Sequence, residues 1–200
     1  MTIVAIITSV NYADYLRYCL MALNGVADQV LVVTEADDAS EAVAGSFHAG
    51  TVLFDGWQQD GASFNKAGGI RAGQRMAYER FPEAWYLLID ADIMLPVGAR
   101  EIIDGGVADP EAVYGARRRD YHTQAELIAN TPTSVYASPF AGYFQLYRRH
   151  VLYPEWSRSA EGCDLVFAQQ FAACRMLPIT VAHCGQEAVN WTGRRSPLWP

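Results

Sequence analysis

The sequence has 200 residues, of which 51% are hydrophobic and 18% are charged. This composition excludes an intrinsically disordered chain and a disulfide-dense miniprotein, and the length allows a substantial core to be buried. With 15 basic against 22 acidic side chains the formal net charge is −7, which argues against a protein that binds nucleic acid or an anionic membrane surface.

The chain contains no apolar run of about 20 residues, so we expect no transmembrane segment. Its first residues lack the basic region of a secretory signal, which predicts a cytoplasmic protein. The four cysteines show no C-x-x-C spacing. Buried free thiols are therefore expected rather than a zinc site.

Four short apolar runs in the first half of the chain predict buried parallel strands. They lie at residues 3–7, 30–33, 51–54 and 85–89. Helical patterns separate them, and the second of these follows Asp38. Ser63 is the predicted N-cap of a third helix, which runs through Tyr78 or Arg80. This alternation predicts an α/β fold with a mostly parallel, Rossmann-like sheet flanked by helices, in which ligands bind beyond the carboxyl ends of the strands.

The second half of the chain has a less regular pattern. Residues 112–116 and 143–147 are predicted strands, residues 163–173 a helix, and residues 177–182 a further extended segment. The sequence shows no internal repeat and no linker with a break in composition. A single domain over residues 1–200 is therefore expected.

Asp90-Ala91-Asp92 closes the fourth predicted strand. A D-x-D pair arises easily by chance, but two carboxylates at the C-terminal end of a buried strand have no core partner. Together they suit a hard divalent cation, which can in turn hold a diphosphate. Helix capping or a turn before Pro96 is the alternative explanation.

Residues 64–73 read Phe-Asn-Lys-Ala-Gly-Gly-Ile-Arg-Ala-Gly, which places three glycines in one helical pattern. Each glycine costs about 1 kcal/mol relative to alanine, so we expect something to approach this backbone closely. Lys66 is the only lysine of the chain, and its compact charge suits a phosphate or a carboxylate. Packing of the helix against the strand that ends at Asp90 is the alternative explanation for the glycines.

All the other basic residues are arginines, and several of them are neighbours in the sequence. The runs are Arg117-Arg118-Arg119, Arg148-Arg149 and Arg194-Arg195. Such clusters commonly form a solvated face, and the alternative is contact with a diphosphate.

In this order and spacing the motifs resemble the GT-A class of nucleotide-sugar-dependent glycosyltransferases, in a small single-domain form, over most of the chain. The segments that carry the resemblance are 6–12 with 15–20, 32–34 with 37–38, Phe64-Asn65-Lys66 with Gly69 and Gly73, 87–92, 140–147 with 161–165, and 183–185 with 190–194. The resemblance implies one GT-A-like domain with a nucleotide-sugar-binding half at residues 1–95 and an acceptor-side half at residues 96–200.

The activity implied by the resemblance is metal-dependent transfer of a sugar from a nucleoside diphosphate donor, with a UDP-sugar favoured, to the hydroxyl of a glycan or another acceptor. The implied cofactor is Mn²⁺ or Mg²⁺, with Asp92, His183 and Asp90 as ligands. A lone histidine at a strand end is usually just hydrogen-bonded, which is the alternative for His183. The implied donor-binding residues are Thr8, Ser9, Asn11, Tyr12, Thr34, Asp37, Asn65, Lys66, Gly69, Asp90 and Ala91.

The acceptor side departs from the family pattern, because Glu161-Gly162 stands where inverting members often have a Glu-Asp pair. An inverting transfer needs a carboxylate about 3 Å from the acceptor hydroxyl, and Asp164 is the first choice and Glu161 the second. A carboxylate at a helix start also complements the helix dipole, and a retaining transfer needs no such base, so the stereochemistry stays open. The predicted acceptor-binding aromatics are Trp156, Trp191 and Tyr143, with simple core packing as the alternative.

Two other functions fit parts of the sequence. One is a sugar-phosphate nucleotidyltransferase, although that class usually has a glycine-rich phosphate loop after the first strand and residues 8–11 contain no glycine. The other is a non-catalytic binder of nucleotide-sugars or glycans on the same fold, which the missing Glu-Asp pair favours. Because the chain is short for its class, we expect an open acceptor groove or a partner subunit.

Overall fold

The computed structural model describes residues 1–136, 140–186 and 188–194. In these residues nine strands form one sheet, and helices pack on both of its faces. The strands are β1 (Ile3–Thr8), β2 (Gln29–Thr34), β3 (Gly50–Leu53), β4 (Trp85–Leu88), β5 (Ile93–Met94), β6 (Ala112–Tyr121), β7 (Ser134–Tyr136), β8 (Gln145–Tyr147) and β9 (Ala173–Cys184). The helices are α1 (Ala13–Leu23), α2 (Ala39–Ser46), α3 (Lys66–Arg80), α4 (Ala99–Gly106), α5 (Gln124–Ala129) and α6 (Cys163–Ala168).

The strand order is β3-β2-β1-β4-β8-β6-β9-β5, and β7 pairs with β6. The first four strands in this order are parallel, as are β6 and β9, whereas β8 is antiparallel to both β4 and β6. The α/β fold class is confirmed, but the sheet is mixed where a mostly parallel one was predicted. The reason is that the chain leaves β6 and enters β8 at the same end of these strands, so β8 runs in the opposite direction to β6.

Two apolar layers enclose the parallel strands. Ile3, Ala5 and Ile7 of β1 face the layer that contains α1, whereas Val4 and Ile6 face the layer that contains α3. Successive side chains of a strand point to opposite faces, so a strand covered on both sides is apolar throughout. Within the described ranges no helix has both the length and the apolar character needed to span a membrane.

The N-cap of α3 differs from the predicted one. Asn65 caps the helix, with its side-chain oxygen accepting a hydrogen bond from Gly68 N at 3.1 Å. The hydroxyl of Ser63, the predicted cap, instead donates to Arg158 O at 3.0 Å. The predicted cap precedes the observed one because the chain first contacts the distant loop that contains Arg158 and only then begins the helix.

The second half contains longer strands and a shorter helix than predicted. β6 continues to Tyr121 and β9 begins at Ala173, because the two strands pair in parallel over almost their whole lengths. The helix predicted over residues 163–173 is therefore limited to α6, which has six residues. The strand predicted over 143–147 begins at Gln145.

Candidate active site

The carboxyl ends of β1, β4, β6 and β9 border a cavity of about 450 Å³ formed by the described residues. The predicted site residues that line it are Thr8, Asn11, Tyr12, Lys66, Asp90, Ala91, Asp92, Tyr143, Glu161, Asp164, His183 and Trp191. The predicted site residues that do not line it are Ser9, Thr34, Asp37, Asn65, Gly69 and Trp156. The fold thus brings the two halves of the predicted site to one edge of the sheet.

Lys66 begins α3, and its side chain is buried in the cavity wall. Its ammonium nitrogen lies 2.7 Å from Asp90 Oδ1 and 3.7 Å from Asp164 Oδ2. Burial alone lowers the pKa of Lys66, but the charges of Asp164 and Asp90 outweigh burial and hold the pKa well above its usual value. Burial also raises the pKa of Asp90, against the opposing charge of Lys66. Lys66 is therefore a permanent cation that joins a carboxylate after β4 to a carboxylate on α6.

His183 and Asp92 face each other, with His183 Nε2 3.4 Å from Asp92 Oδ2. The pairing of β5 with β9 sets this separation, and Cys184 N donates to Asp92 O at 2.9 Å. On its other side His183 Nδ1 lies 2.7 Å from Asp120 Oδ1. Burial alone lowers the pKa of His183, but Asp92 and Asp120 raise it to about 9. Burial raises the pKa of Asp92 in turn, but His183, Arg118 and Lys66 together hold that pKa below its usual value.

The Asp92 and His183 pair can supply two ligands to a hard divalent cation if the cation displaces the Nε2 proton that the raised pKa of His183 retains. Asp120 occupies Nδ1 of the imidazole and leaves Nε2 directed at Asp92, which is a common arrangement behind a metal-ligating histidine. In the part of the chain that the structure describes, no three His, Cys, Asp or Glu side chains form a group that could hold a metal ion. Asp90, the third predicted ligand, is paired with Lys66 instead. A cation held by this pair would need its remaining ligands from other groups, such as the oxygen atoms of a bound ligand.

Arg118 lines the cavity, whereas Arg117 and Arg119 are exposed. All three belong to β6, and strand alternation turns only the middle one inward. Arg118 Nε lies 2.8 Å from Asp120 Oδ1, and the guanidinium group lies 3.9 Å from the ring centre of Tyr136. The prediction of a solvated face thus holds for the outer two residues. The period of two would have identified the inward arginine if the strand had been predicted to its full length.

The loop after β1 contributes Asn11 and Tyr12 to the cavity. Asn11 has a positive φ of 57°, and its N–H donates to Asp38 Oδ2 at 2.6 Å. Asp38 also caps α2, so one carboxylate links the first loop to the second helix. Ser9 is buried, and its hydroxyl lies 2.8 Å from the hydroxyl of Ser40. Ser9 therefore stabilises the loop and does not reach the cavity.

Thr34, Asp37 and Gly69 lie off the cavity wall for different reasons. Thr34 is fully buried at the end of β2, and Asp37 is exposed in the turn before α2 with a φ of 63°. A Cβ atom at Gly69 would overlap the indole ring of Trp57. Close packing therefore explains why residue 69 is a glycine. Its packing partner is Trp57, whereas the sequence predicted the strand that ends at Asp90.

Asn65 holds two loops together at the start of α3. Its Oδ1 accepts hydrogen bonds from Gly68 N at 3.1 Å and Ser157 N at 2.9 Å, and its Nδ2 donates to Gly56 O at 3.2 Å. In the same loop as Ser157, the side chain of Trp156 is 42% exposed and its indole N–H donates to a backbone carbonyl of the facing loop. Both residues therefore organise the loops around the cavity without lining it.

Asp164 lies in the first turn of α6 with its carboxyl group buried. Tyr153 places its hydroxyl 3.0 Å from Asp164 Oδ1. A Cβ atom on Gly142 would lie 2.7 Å from the carboxyl carbon of Asp164, so a larger residue there would displace the group. Glu161 is exposed at the cavity rim. Beside it, the backbone N–H of Ala160 donates a hydrogen bond to the backbone oxygen of Trp191.

Arg194 ties the last described segment to α1. Both of its terminal nitrogens lie 2.6 Å from the carboxylate of Asp14. Its guanidinium group lies 5.2 Å from the ring centre of Tyr12 and 4.9 Å from that of Tyr15. The cavity wall formed by this segment is therefore anchored beside the loop after β1. Arg195, the other member of the predicted pair, lies outside the described residues.

Comparisons with known proteins were made on both sequence and structure. No protein-family model and no curated protein matches the sequence. Among solved structures, S. aureus TarS has a TM-score of 0.60 and 13% identity over 92% of this chain, which spans 36% of the TarS chain. A mycobacterial protein has a TM-score of 0.61 and 11% identity over 98% of this chain and 68% of its own.

A third solved structure is described as a glucose-1-phosphate thymidylyltransferase from Bacillus anthracis. Its TM-score is 0.53, with 11% identity over 93% of this chain and 91% of its own. At these identities the similarity concerns the fold. The neighbours share the Rossmann-like fold of GT-A enzymes and nucleotidyltransferases, so the resemblance seen in the sequence is confirmed at the level of the fold.

Proposed function

We propose that the protein is a metal-dependent glycosyltransferase that moves a sugar from a nucleoside diphosphate donor, with a UDP-sugar favoured, to an acceptor hydroxyl. The observation that carries the proposal is the convergence of Lys66, Asp90 and Asp164 with the Asp92 and His183 pair around one cavity. Carboxylates from the donor side and from the acceptor side thereby meet at one edge of the sheet. The fold shared with a thymidylyltransferase is consistent with a transferase that acts on sugar nucleotides.

On the donor side, Asp92 and His183 would hold Mn²⁺ or Mg²⁺. The ion would neutralise negative charge on the leaving diphosphate. Asp90 contacts the donor sugar or ribose, and Lys66 fixes the Asp90 carboxylate through their 2.7 Å ion pair. The residues that contact the nucleoside are Thr8, Asn11 and Tyr12, which line the cavity beside them.

On the acceptor side, we propose Asp164 as the general base of an inverting transfer. The acceptor oxygen bonds to the sugar as the bond from the sugar to the diphosphate breaks, and the hydroxyl proton passes to Asp164. Asp164 is buried beside Lys66, whereas Glu161 is exposed at the rim. Asp164→Asn is expected to lower kcat by about 10²- to 10⁴-fold, and Glu161→Gln by only a few-fold. The reverse result would assign the base to Glu161.

Donor binding is tested by thermal shift with UDP, GDP, CDP and TDP, each with and without Mn²⁺. A ligand that binds the native state raises Tm according to its concentration relative to Kd. We expect a shift with UDP that requires Mn²⁺ and is lost in Asp92→Asn. Asp55→Asn is the matched control, since Asp55 is exposed and does not line the cavity. The absence of a shift with every nucleotide would refute the proposed donor site.

A further inference from the structure

Three lysine or arginine side chains of the described residues line the cavity, and acidic neighbours hold two of them closely. The ammonium group of Lys66 lies between two carboxylates. Arg194 places both of its terminal nitrogens 2.6 Å from the carboxylate of Asp14. The third cation is Arg118, whose side chain is 9% exposed and whose acidic neighbour is Asp120. Arg118 has N–H donors left for a ligand, because contact with one carboxylate uses only one edge of a guanidinium group.

Asp120 faces the edge of the guanidinium group that carries Nε and Nη2. Nε lies 2.8 Å from Asp120 Oδ1 and Nη2 lies 3.5 Å from Asp120 Oδ2, whereas a well-formed N–H···O bond is about 2.7–3.2 Å long. The first contact is also poorly directed, because Nε makes no hydrogen bond within the described residues. Nη1, on the opposite edge, donates to no group in that part of the chain either. Buried donors without partners are costly, so this open edge suits a second anion.

Two neighbours fix the guanidinium group in place before a ligand arrives. The pairing of β6 with β7 sets Arg118 opposite Tyr136, and the guanidinium carbon lies 3.9 Å from the ring centre of Tyr136. Asp120 is itself held on two sides, by the hydroxyl of Ser134 at 2.7 Å and by His183 Nδ1 at 2.7 Å. A donor group that is already oriented loses little entropy when a ligand binds, which favours specific recognition of that ligand.

The place of Arg118 in the sheet indicates which part of a donor it reaches. The strand order runs from β1 across β4 and β8 to β6, and the carboxyl ends of β1, β4 and β6 border the cavity. The proposed nucleoside contacts follow β1 and Asp92 follows β4, so Arg118 lies beyond Asp92 from the nucleoside. Asp92 and Asp120 carry two negative charges, which balance a divalent cation at this place. Arg118 then supplies the excess positive charge that a diphosphate requires.

We propose that Arg118 binds the β-phosphate of the nucleoside diphosphate donor through Nη1 and Nη2 and holds this phosphate as it leaves. The inference rests on the proposed glycosyltransferase function. As the acceptor oxygen bonds to the sugar, the bond from the sugar to the β-phosphate oxygen breaks with its electron pair going to that oxygen, and the acceptor proton passes to Asp164. Arg118 keeps all of its protons. Its charged hydrogen bonds strengthen as the negative charge of the phosphate increases.

The test compares UDP with UMP, which lacks the β-phosphate, by isothermal titration calorimetry in the presence of Mn²⁺. Arg118→Met keeps an apolar side chain of similar length and removes the N–H donors, while Asp120 retains Ser134 and His183 as partners. We expect Kd for UDP to rise by about 10- to 100-fold, as for the loss of hydrogen bonds to a charged group, and Kd for UMP by less than about three-fold. Arg118→Lys keeps the charge without the planar fork and should lose less affinity for UDP than Arg118→Met.

Arg119→Met is the matched control, because Arg119 is the next residue of β6 and is exposed outside the cavity. It should leave both dissociation constants unchanged. An unchanged Kd for UDP in Arg118→Met, or an equal rise for UDP and UMP, would overturn the inference while the donor site stands. Slower turnover with an unchanged Kd for UDP would instead place Arg118 against an anionic group of the acceptor.

A second measurement uses the wild-type chain. The guanidinium NMR signals of Arg118, recorded with Mg²⁺ and assigned through the backbone signals of β6, should shift when UDP is added and much less when UMP is added. Signals that do not move in UDP-saturated protein would overturn the inference even where the Arg118 variants fail to fold. If the wild-type protein binds neither nucleotide, the glycosyltransferase proposal itself fails, which differs from UDP binding that does not involve Arg118.

Discussion

The proposed donor-side half (residues 1–95) and the proposed acceptor-side half (residues 96–200) hold their site residues in different ways. In residues 1–95 these residues stand at the ends of strands or at the start of α3, where regular backbone hydrogen bonds place them. In residues 96–194 Asp164 begins a helix of six residues and depends on contacts with Gly142 and Tyr153. A regular element tolerates the loss of one contact, whereas a chain of side-chain contacts works only when every partner is present. Substitutions of the residues that hold the site residues in place should therefore reduce mainly stability on the donor side and mainly activity on the acceptor side.

The largest effect is expected where the two halves meet, at Lys66. Lys66→Met leaves the Asp90 and Asp164 carboxyl groups buried without their cation, which should cost about 3–5 kcal/mol of unfolding free energy. Urea unfolding at about pH 7 measures the loss. Arg75→Met, which removes an exposed cation from the same helix, should change the unfolding free energy by less than about 0.5 kcal/mol.

The loss in Lys66→Met should also depend on pH. Burial already raises the pKa of Asp90 in the folded protein, and removal of Lys66 raises it further. A carboxyl group whose pKa is higher in the folded than in the unfolded state destabilises the fold above that pKa, and the penalty shrinks as the pH falls through it. The difference from wild type should therefore be smaller at about pH 5 than at about pH 7. A constant difference would show that Lys66 contributes through packing and not through charge.

On the acceptor side, Gly142→Ala is expected to abolish most of the activity while leaving the protein folded. The added Cβ would lie 2.7 Å from the carboxyl carbon of Asp164 and push that group away from the acceptor. A displacement of about 1 Å lowers the rate by about 100-fold. Initial-rate kinetics measure the loss, and circular dichroism measures the folded fraction. Gly105→Ala, where a Cβ meets no atom within 4 Å, is the control and should retain full activity.

The donor side could be predicted from the sequence because its signals are local. The apolar runs predict β1 to β4 to within one or two residues, and the polar residues that follow β1 and β4 predict the edge at which the site lies. The five predicted donor-binding residues that lie off the cavity show the limit of this reasoning. Asn65 is polar because it caps α3, and residue 69 is a glycine because it packs closely on Trp57. Ligand binding favours the same residue types, so the sequence pattern is the same in both cases.

The acceptor side could not be predicted in the same way, because its contacts join residues that are far apart in the sequence. Gly142 packs on Asp164, and the hydroxyl of Tyr153 contacts the side chains of both Gln145 and Asp164. The direction of β8 and the full length of β6, which places Arg118 on the inward face, likewise follow from strand pairing. One local signal was available: a glutamine within an otherwise apolar strand needs buried hydrogen-bond partners.

A smaller effect is expected at the glycines of α3, and it tests whether donor-side changes act on stability. At Gly73 a Cβ would lie 2.6 Å from Ile6 Cγ2 and 2.7 Å from Val33 Cγ2, and neither β-branched side chain can move far. Gly73→Ala should cost about 1–3 kcal/mol of unfolding free energy. In contrast, Gly45→Ala in α2 meets no atom within 4 Å and should stabilise the protein by about 0.5 kcal/mol. Equal effects would contradict the role of close packing at Gly73.

The smallest effect is expected at the ion pair between Asp14 and Arg194, which joins the two halves at the cavity wall. Burial alone raises the pKa of Asp14, but hydrogen bonds from Arg194 hold that pKa below its usual value. The pair therefore stabilises the fold above the unfolded pKa of Asp14, and the contribution is lost as the pH falls through the folded pKa. Because the Asp14 side chain is 39% exposed, solvent limits the coupling to about 0.5 kcal/mol. A double-mutant cycle of Asp14→Asn and Arg194→Gln measures it, and it should weaken progressively as the pH falls below the usual pKa of an aspartate and also weaken in high salt. A coupling that persists under both conditions would mean that packing of Arg194 on Tyr12 and Tyr15, and not charge, anchors this wall.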